Sequence, residues 1–326
     1  MTRTWGLILL GGVALCIAAA PVLAPNDPVQ LFAGKAFAPP MPLRVMAEGE
    51  VRRPFVYPVT VVGGVDRRER HYEEQRDSPA ALVFFSGGRV ISSPSVPWLP
   101  LGGDPMGRDL FSRLLWGGRL SVGVAVLAVS LALALGALAG GVAGFAGGAV
   151  DRIIMSVADF AIVLPLIYVV VTLRAAMPLV PDTATVFLTM AVVMALASWP
   201  VPARAVRAVI AAERQKEYAE AAYSAGAGPL RILLRHLLPA AAGQLATHGI
   251  LLFPAFIFAE ATLSFVGLGF ADPSARWGLM LRDARSPSAI VDAPWLLAPA
   301  VAIVLAVLGA RLLLVDEDQP EAISLS

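Results

Sequence analysis

Long apolar runs that carry little or no charge, separated by short segments in which charge collects, set the pattern of this chain. Six runs are long enough to cross about 30 Å of hydrocarbon as helices: Thr4 to Asn26, Leu120 to Val150, Ile153 to Leu173 (interrupted by Asp159), Thr183 to Ala203, Leu237 to Ala259, and Ala293 to Ala310. The predicted fold class is therefore an all-α polytopic membrane protein with six transmembrane helices. Arg3 ahead of an apolar stretch ending in "AAAPVLAP" resembles a secretory leader, but Pro25 directly after Ala24 opposes cleavage, so the first run is expected to remain as a span. An even number of spans puts both termini on one side. With the amino end inside, the inner short connections hold Arg3, Arg152, Arg204, Arg207, Arg214, Lys216, Arg231 and Arg235, whereas the outer ones hold Arg174, Arg276, Arg282 and Arg285. That excess places both termini in the cytoplasm.

On this topology the chain divides into a first span (1–26), an extracytoplasmic segment (27–118), a core of five spans (119–314) containing a cytoplasmic loop (213–239), and a cytoplasmic tail (315–326). Within the outer segment, "RPFVYPVTVVGG" and "AALVFFSGGRVISS" have the β-branched and aromatic bias of strands, with "DRRERHYEEQRD" between them as a solvated connector or short helix. A small β-containing insert between helices 1 and 2 is the expectation, serving either as a cap over the outer mouth or as a docking surface.

Composition agrees with the patterning and removes other classes. Apolar residues make up 57% of the chain, charged residues 15%, and mean hydropathy is +0.73, so lipid is the natural solvent. A net charge of +1 with no basic run interleaved with aromatics leaves no nucleic-acid surface. The single cysteine, Cys16, lies inside the first run and allows neither an internal disulfide nor a cysteine metal cluster. No phosphate-binding loop exists: the lysines are Lys35 and Lys216, and Gly34-Lys35 is followed by alanine. The chain itself is expected to be no enzyme and to bind no cofactor.

Gly136, Gly140, Gly144 and Gly148 recur every four residues and predict a bare helix face for close packing. Pro165, Pro200, Pro202 and Pro254 predict kinks. Asp159 and Glu260 sit in or beside apolar runs, where an unpaired charge costs at least about 2.5 kcal/mol, so each should face the interior, water or a partner, in a pathway or a structural role; Glu260 is further expected near headgroup level at the outer boundary.

The loop "EYAEAAYSAGAGPLRILLRHLLP", Glu217 to Pro239, breaks the apolar pattern. Tyr218, Ala221, Ala222 and Ala225 share one helical face, and Glu217, Glu220 and Ser224 another. Gly226 suits a left-handed helix end and Pro229 a helix start, so two short helices are expected. The second should bear an apolar stripe of Leu230, Leu233, Leu234, Leu237 and Leu238 opposite Arg231 and Arg235, ending where Pro239 opens the next span. Such an elbow could rest on headgroups or dock a soluble partner.

This loop resembles the EAA loop of binding-protein-dependent ABC transporter permeases, with Glu220, Ala221, Ala222, Gly226, Leu238 and Pro239 in register. "LGGDPMGRDLFSRLLWGGRLS" and "EATLSFVGLGFADPSARWGLML" are similar to two further segments of the C-type subunit of the dipeptide and oligopeptide branch. In the first of these, Asp104 is expected as N-cap and Pro105 as first residue of an interfacial helix with Trp116 at headgroup depth. The tail "LGARLLLVDEDQP" departs from the family pattern. The resemblance implies the type I importer permease fold and alternating access driven by two ATP-binding subunits that hold ATP and Mg. Glu217, Glu220, Ala221, Ala222, Gly226, Arg231, Arg235, Leu238 and Pro239 would form the ATPase-coupling elbow. It further implies a second, B-type permease subunit, an extracytoplasmic solute-binding protein, and peptides as cargo, with nickel or glutathione as alternatives. An ATP-independent secondary transporter and a membrane-anchored scaffold are the readings from other classes.

Overall fold

Glycine decides how the longest helices meet. The computed structural model describes residues 2–47, 50–62, 71–165, 168–169, 172, 182–267 and 274–314. Part of the expected Ile153–Leu173 span and the whole 315–326 tail lie outside them. Helices long and apolar enough to cross a bilayer are α3 (Leu110–Ala146), α8 (Pro229–Val266) and a terminal run, Pro294–Leu312, which contains α11 (Ala298–Leu312). A fourth is formed by α5 (Thr183–Ser198) and α6 (Pro200–Glu213), bent by 48° at Trp199. The bend falls where Pro200 and Pro202 occupy the first turn of α6, as their missing N–H groups and fixed φ dictate. α1 (Thr2–Ala18) is shorter, and α2 (Ala20–Leu23) follows it directly. α4 spans Gly148–Val163 and α7 Glu217–Ser224; α9 (Trp277–Leu281) and α10 (Pro287–Asp292) are short.

The chain divides into two compact units. One comprises Met1–Leu7, Gly123–Glu260 and Val307–Ser326; the other Ile8–Val122 and Ala261–Ala306. In the first, the expected small-residue face of α3 is in place and its partner is α6. A Cβ at Gly136 would stand 2.8 Å from the Pro202 ring, one at Gly140 would collide with the Ala203 carbonyl, and one at Gly144 would lie 2.6 Å from the Arg207 carbonyl. Gly148 is not part of this stripe: among the described residues nothing lies within 4 Å of where its Cβ would stand, and its φ of +56° belongs to the break between α3 and α4. Val206 and Ile210 of α6 enter a buried cluster with Ala219, Ile232, Leu233, Leu237 and Ala241, and Ile210 also borders Gly144 of α3.

In the second unit, seven strands among the described residues form three small antiparallel sheets. β1 (Arg44–Ala47), β2 (Glu50–Val56) and β5 (Ala80–Ala81) make one, β3 (Val59–Val62) pairs with β4 (His71–Glu74), and β6 (Val83–Ser86) with β7 (Arg89–Ser92). β4 lies in the stretch expected to be a connector or helix. Its charge hid a period of two: Tyr72 packs beside the cluster of Ala38, Met41, Val59 and Leu99 and donates its hydroxyl proton to the Ala36 carbonyl at 2.6 Å, while His71 and Glu73 point outward.

The segment ahead of α3 also departs from expectation. Residues 104–107 form a turn rather than a helix, and the helix starts at Leu110. Asp104 accepts from the Met106 N–H at 2.8 Å and the Arg108 N–H at 2.9 Å, and its other oxygen pairs with buried Arg108 at 2.6 Å and Arg113 at 3.4 Å. Asp109 is the residue that caps α3, accepting from the Phe111 N–H at 3.1 Å and the Ser112 N–H at 3.3 Å. Two aspartates five residues apart compete for one cap, and two arginine partners hold the first in the turn. Two of the family-like segments meet in this unit. Fully buried Trp277 donates from Nε1 to the Leu114 carbonyl at 2.9 Å, and Gly117 and Gly118 leave no room for a side chain against Arg276 and Trp277.

Burial pushes the Asp109 carboxyl up to about 6, although Ser112, Asn26 and the two backbone N–H groups act in the other direction. The folded chain therefore holds this proton more tightly than the unfolded chain. Stability should fall as pH rises from about 4 through about 6, and Asp109→Asn should flatten that slope in thermal melts of the detergent-purified protein. Gly140→Leu should prevent α3 from seating on α6, lowering the melting temperature or the amount accumulated in the membrane. Gly141→Ala, whose added carbon would meet its nearest neighbour at 3.6 Å, should leave both unchanged.

Candidate functional site

The Glu217–Pro239 loop folds as a bent arm with a buried root and an exposed tip. α7 ends in a six-residue hydrogen-bonded closure: the Gly226 N–H donates to the Tyr223 carbonyl at 2.9 Å and the Ala227 N–H to the Ala222 carbonyl at 3.1 Å. Gly226 takes φ +78°, which only glycine adopts without strain. Gly228 and Pro229 then start the next helix, as expected.

That next helix is not separate. It runs without a break from Pro229 to Val266, through a π-helical stretch over Ile232–Leu237 and a 3₁₀ turn over Leu238–Ala241. Pro239 has no N–H and its ring crowds the carbonyl four residues back, so the preceding turn widens and the Leu238 N–H donates to Leu233. The widening also divides the expected leucine stripe. Leu233 and Leu237 are buried with Ile232, and Leu238 is half-buried against the same cluster, whereas Leu230 and Leu234 are 68% and 48% exposed. A regular 3.6-residue period places all five on one face, which is why the sequence pattern misleads here.

In the first limb the buried residue is Ala219, with Ala222 half-buried behind it. Glu217, Glu220, Ala221 and Ala225 are exposed, and Tyr218 turns outward rather than joining a packed face. Arg231, Arg235 and Pro239 are exposed as well. Glu217, Tyr218, Glu220, Ala221, Arg231 and Arg235 are therefore surface residues of the arm, and Ala222 and Leu238 belong to its root.

Several residues not singled out in the sequence hold the arm. The Glu213 carboxylate pairs with Lys216 at 2.7 Å and accepts from the Tyr218 hydroxyl at 2.8 Å, which holds its carboxyl below the ordinary range. Desolvation and the same Glu213 raise the Tyr218 phenol. Tyr223 stacks on Phe145 with ring centres 6.4 Å apart, and Arg214 donates to the Phe145 carbonyl, so the end of α3 is clamped from both ends of the turn preceding and including α7. The Phe145–Tyr223 stack was invisible because the partners lie far apart in sequence.

Of the two carboxylates in apolar runs, Asp159 is paired with Arg204 of α6, and both side chains remain exposed, at 65% and 48%. Below it, Asp151 accepts a two-pronged contact from Arg207. Glu260 has no exposed surface. Its side chain is thus enclosed by the fold.

Residues 132–315, more than half of the chain, match the family described as binding-protein-dependent transport system inner membrane component. The chain belongs to this family. Among its relatives, a Brucella ovis protein named as a peptide permease is 39% identical over 209 residues, covering 64% of this chain and 67% of the relative. The dipeptide transport system permease protein of Bacillus subtilis is 36% identical over 207 residues, covering 63% and 62%. The glutathione transport system permease protein of Pectobacterium atrosepticum is 35% identical over 232 residues, covering 71% and 74%. The matched region of this permease-family chain includes the whole arm, α4 and α6.

Root and tip should separate in mutants. Leu237→Ala removes a fully buried side chain and should cost about 2–5 kcal/mol in chemical denaturation. Leu234→Ala, at an exposed position, should stay within about 0.5 kcal/mol of the parent.

Proposed function

We propose that this chain is one transmembrane subunit of an ATP-driven importer in a bacterial cytoplasmic membrane, and that its cargo is a peptide. The observation that carries this reading is the arm: a root sunk in the α6 and α8 cluster and a tip of exposed charged and apolar side chains, joined through a helix that continues to Val266. Such a part moves the helix it is built on when something grips the tip. Two separate subunits would bind ATP and Mg and supply the grip at Glu217, Glu220, Ala221, Arg231 and Arg235; Ala222, Gly226, Leu238 and Pro239 would keep the arm's shape. The tip must bind those subunits differently in their two nucleotide states, because equal affinity shifts no equilibrium. The permease chain itself would perform no chemistry.

In this reading six spans cross the membrane with both termini in the cytoplasm. α1 and α2 would make the first and α4 would begin the third. Residues 27–118 would be an extracytoplasmic insert receiving a solute-binding protein, 119–314 the permease core with its 213–239 coupling loop, and 315–326 a cytoplasmic tail. A B-type permease would complete the pair. Peptide cargo is supported by the names of the Brucella and Bacillus relatives. Glutathione is the second reading, supported by the Pectobacterium relative.

Gly226→Pro cannot adopt φ +78°, and Glu220→Arg reverses charge at the tip. Each should reduce ATP-dependent uptake of dialanine to background while the chain remains in the membrane at parental levels. Unchanged uptake in both variants, or uptake that persists without ATP, would sink the coupling reading and leave a secondary transporter or scaffold.

A further inference from the structure

Asp159 lies eleven residues beyond Gly148, the first residue of α4, or about 16 Å along a helix rising 1.5 Å per residue. α4 begins before Arg152 and the bent α5–α6 helix continues to Glu213, so Arg152 and Arg204, expected in inner connections, stand on helices instead; if α4 enters the membrane at its start, Asp159 is close to the middle of a hydrocarbon layer about 30 Å thick. A charge facing lipid at that depth costs at least about 2.5 kcal/mol. Pairing with Arg204 offsets part of the cost, but the pair is not withdrawn into the fold: its side chains are 65% and 48% exposed. The Asp151–Arg207 pair nearby behaves differently, with the carboxylate side chain 15% exposed. Ser156 and Arg152 continue a polar stripe from Asp159 at three- and four-residue steps along α4, beside exposed Ile153, Val157 and Phe160. Across from it, Val201 and Ala208 flank Arg204 on the outer side of α6 and leave the guanidinium uncrowded.

Hydrogen bonding argues for water in front of this pair. A guanidinium has five N–H donors. Among the described residues Arg204 directs one nitrogen to Asp159 and meets no other acceptor. Lipid supplies no acceptor at this depth, and an apolar helix of a neighbouring subunit would strand the same donors. Water or a polar solute satisfies them.

We infer that Asp159 and Arg204 line the aqueous route through the membrane and bind the two charged ends of a zwitterionic solute. The carboxylate would receive an ammonium group, and the guanidinium a carboxylate in a two-pronged contact. The pair would close on itself when no solute is present. This deepens the importer reading proposed above and rests on it and on α4 as a span.

The test uses the assembled transporter in proteoliposomes, with this chain's single native thiol removed by Cys16→Ser and labelling read on this chain alone. Asp159→Cys, and Ser156→Cys, which leaves the pair intact, are exposed to a membrane-impermeant cationic methanethiosulfonate. Both should react, and saturating dialanine should slow the reaction about tenfold, equivalent to about 1.4 kcal/mol. In uptake assays Asp159→Asn should raise KM for dialanine about tenfold or more, with kcat, ATPase rate and subunit co-purification near parental values. Reaction only with a lipid-soluble maleimide would put the face in lipid and overturn the inference. So would a disulfide between Ser156→Cys and the second permease subunit, labelling indifferent to dialanine, or a parental KM in Asp159→Asn. Failure of the unmodified transporter to take up dialanine with ATP would instead count against the importer reading, and the labelling would still decide whether the face is wet.

Discussion

Contact between the bare face of α3 and the backbone of α6 is the constraint on which the first unit depends. Three glycines let α6 lie against α3 at a separation that a single methyl group would forbid. Because there is little hydrophobic driving force between helices in lipid, that closeness, and the dispersion contacts it allows, replaces the core burial that organises a water-soluble protein. From this seating follow the other placements: Val206 and Ile210 form the floor on which the arm is rooted, and Arg204 and Arg207 come opposite the aspartates of α4.

Much of this was legible in the residue pattern, because helix packing by small residues and helix termination are local codes. The four-residue spacing of Gly136, Gly140 and Gly144 named the face, though it could not name α6 as the partner. Gly226 and Pro229 announced a break and restart, and the backbone does both. Pro200 and Pro202 marked a bend. What the pattern could not supply was competition between equally good local choices. Asp104 and Asp109 are both sound helix caps, and only the buried Arg108 and Arg113 determine that the later one starts α3.

The arm shows the same limit more sharply. Its leucines were assigned to one stripe on the assumption of a uniform helical period, and Pro239 breaks that assumption by widening the turn before it. As a result, two of the five leucines lie at the surface rather than in the root. Likewise the charge of His71–Glu74 masked an alternating strand whose inward tyrosine could be recognised only once its partners near residue 36 were folded beside it.

The stitching of α6 has a mechanical corollary. Arg207 and Arg214 tie this helix to Asp151 and the Phe145 carbonyl at two successive levels, and such directional bonds resist slippage. α5, by contrast, buries only apolar side chains among those described, and contacts of that kind tolerate small displacements. The two halves of this bent helix are thus held by different kinds of contact, directional along α6 and purely apolar along α5, with the 48° bend at Trp199 as the boundary between them.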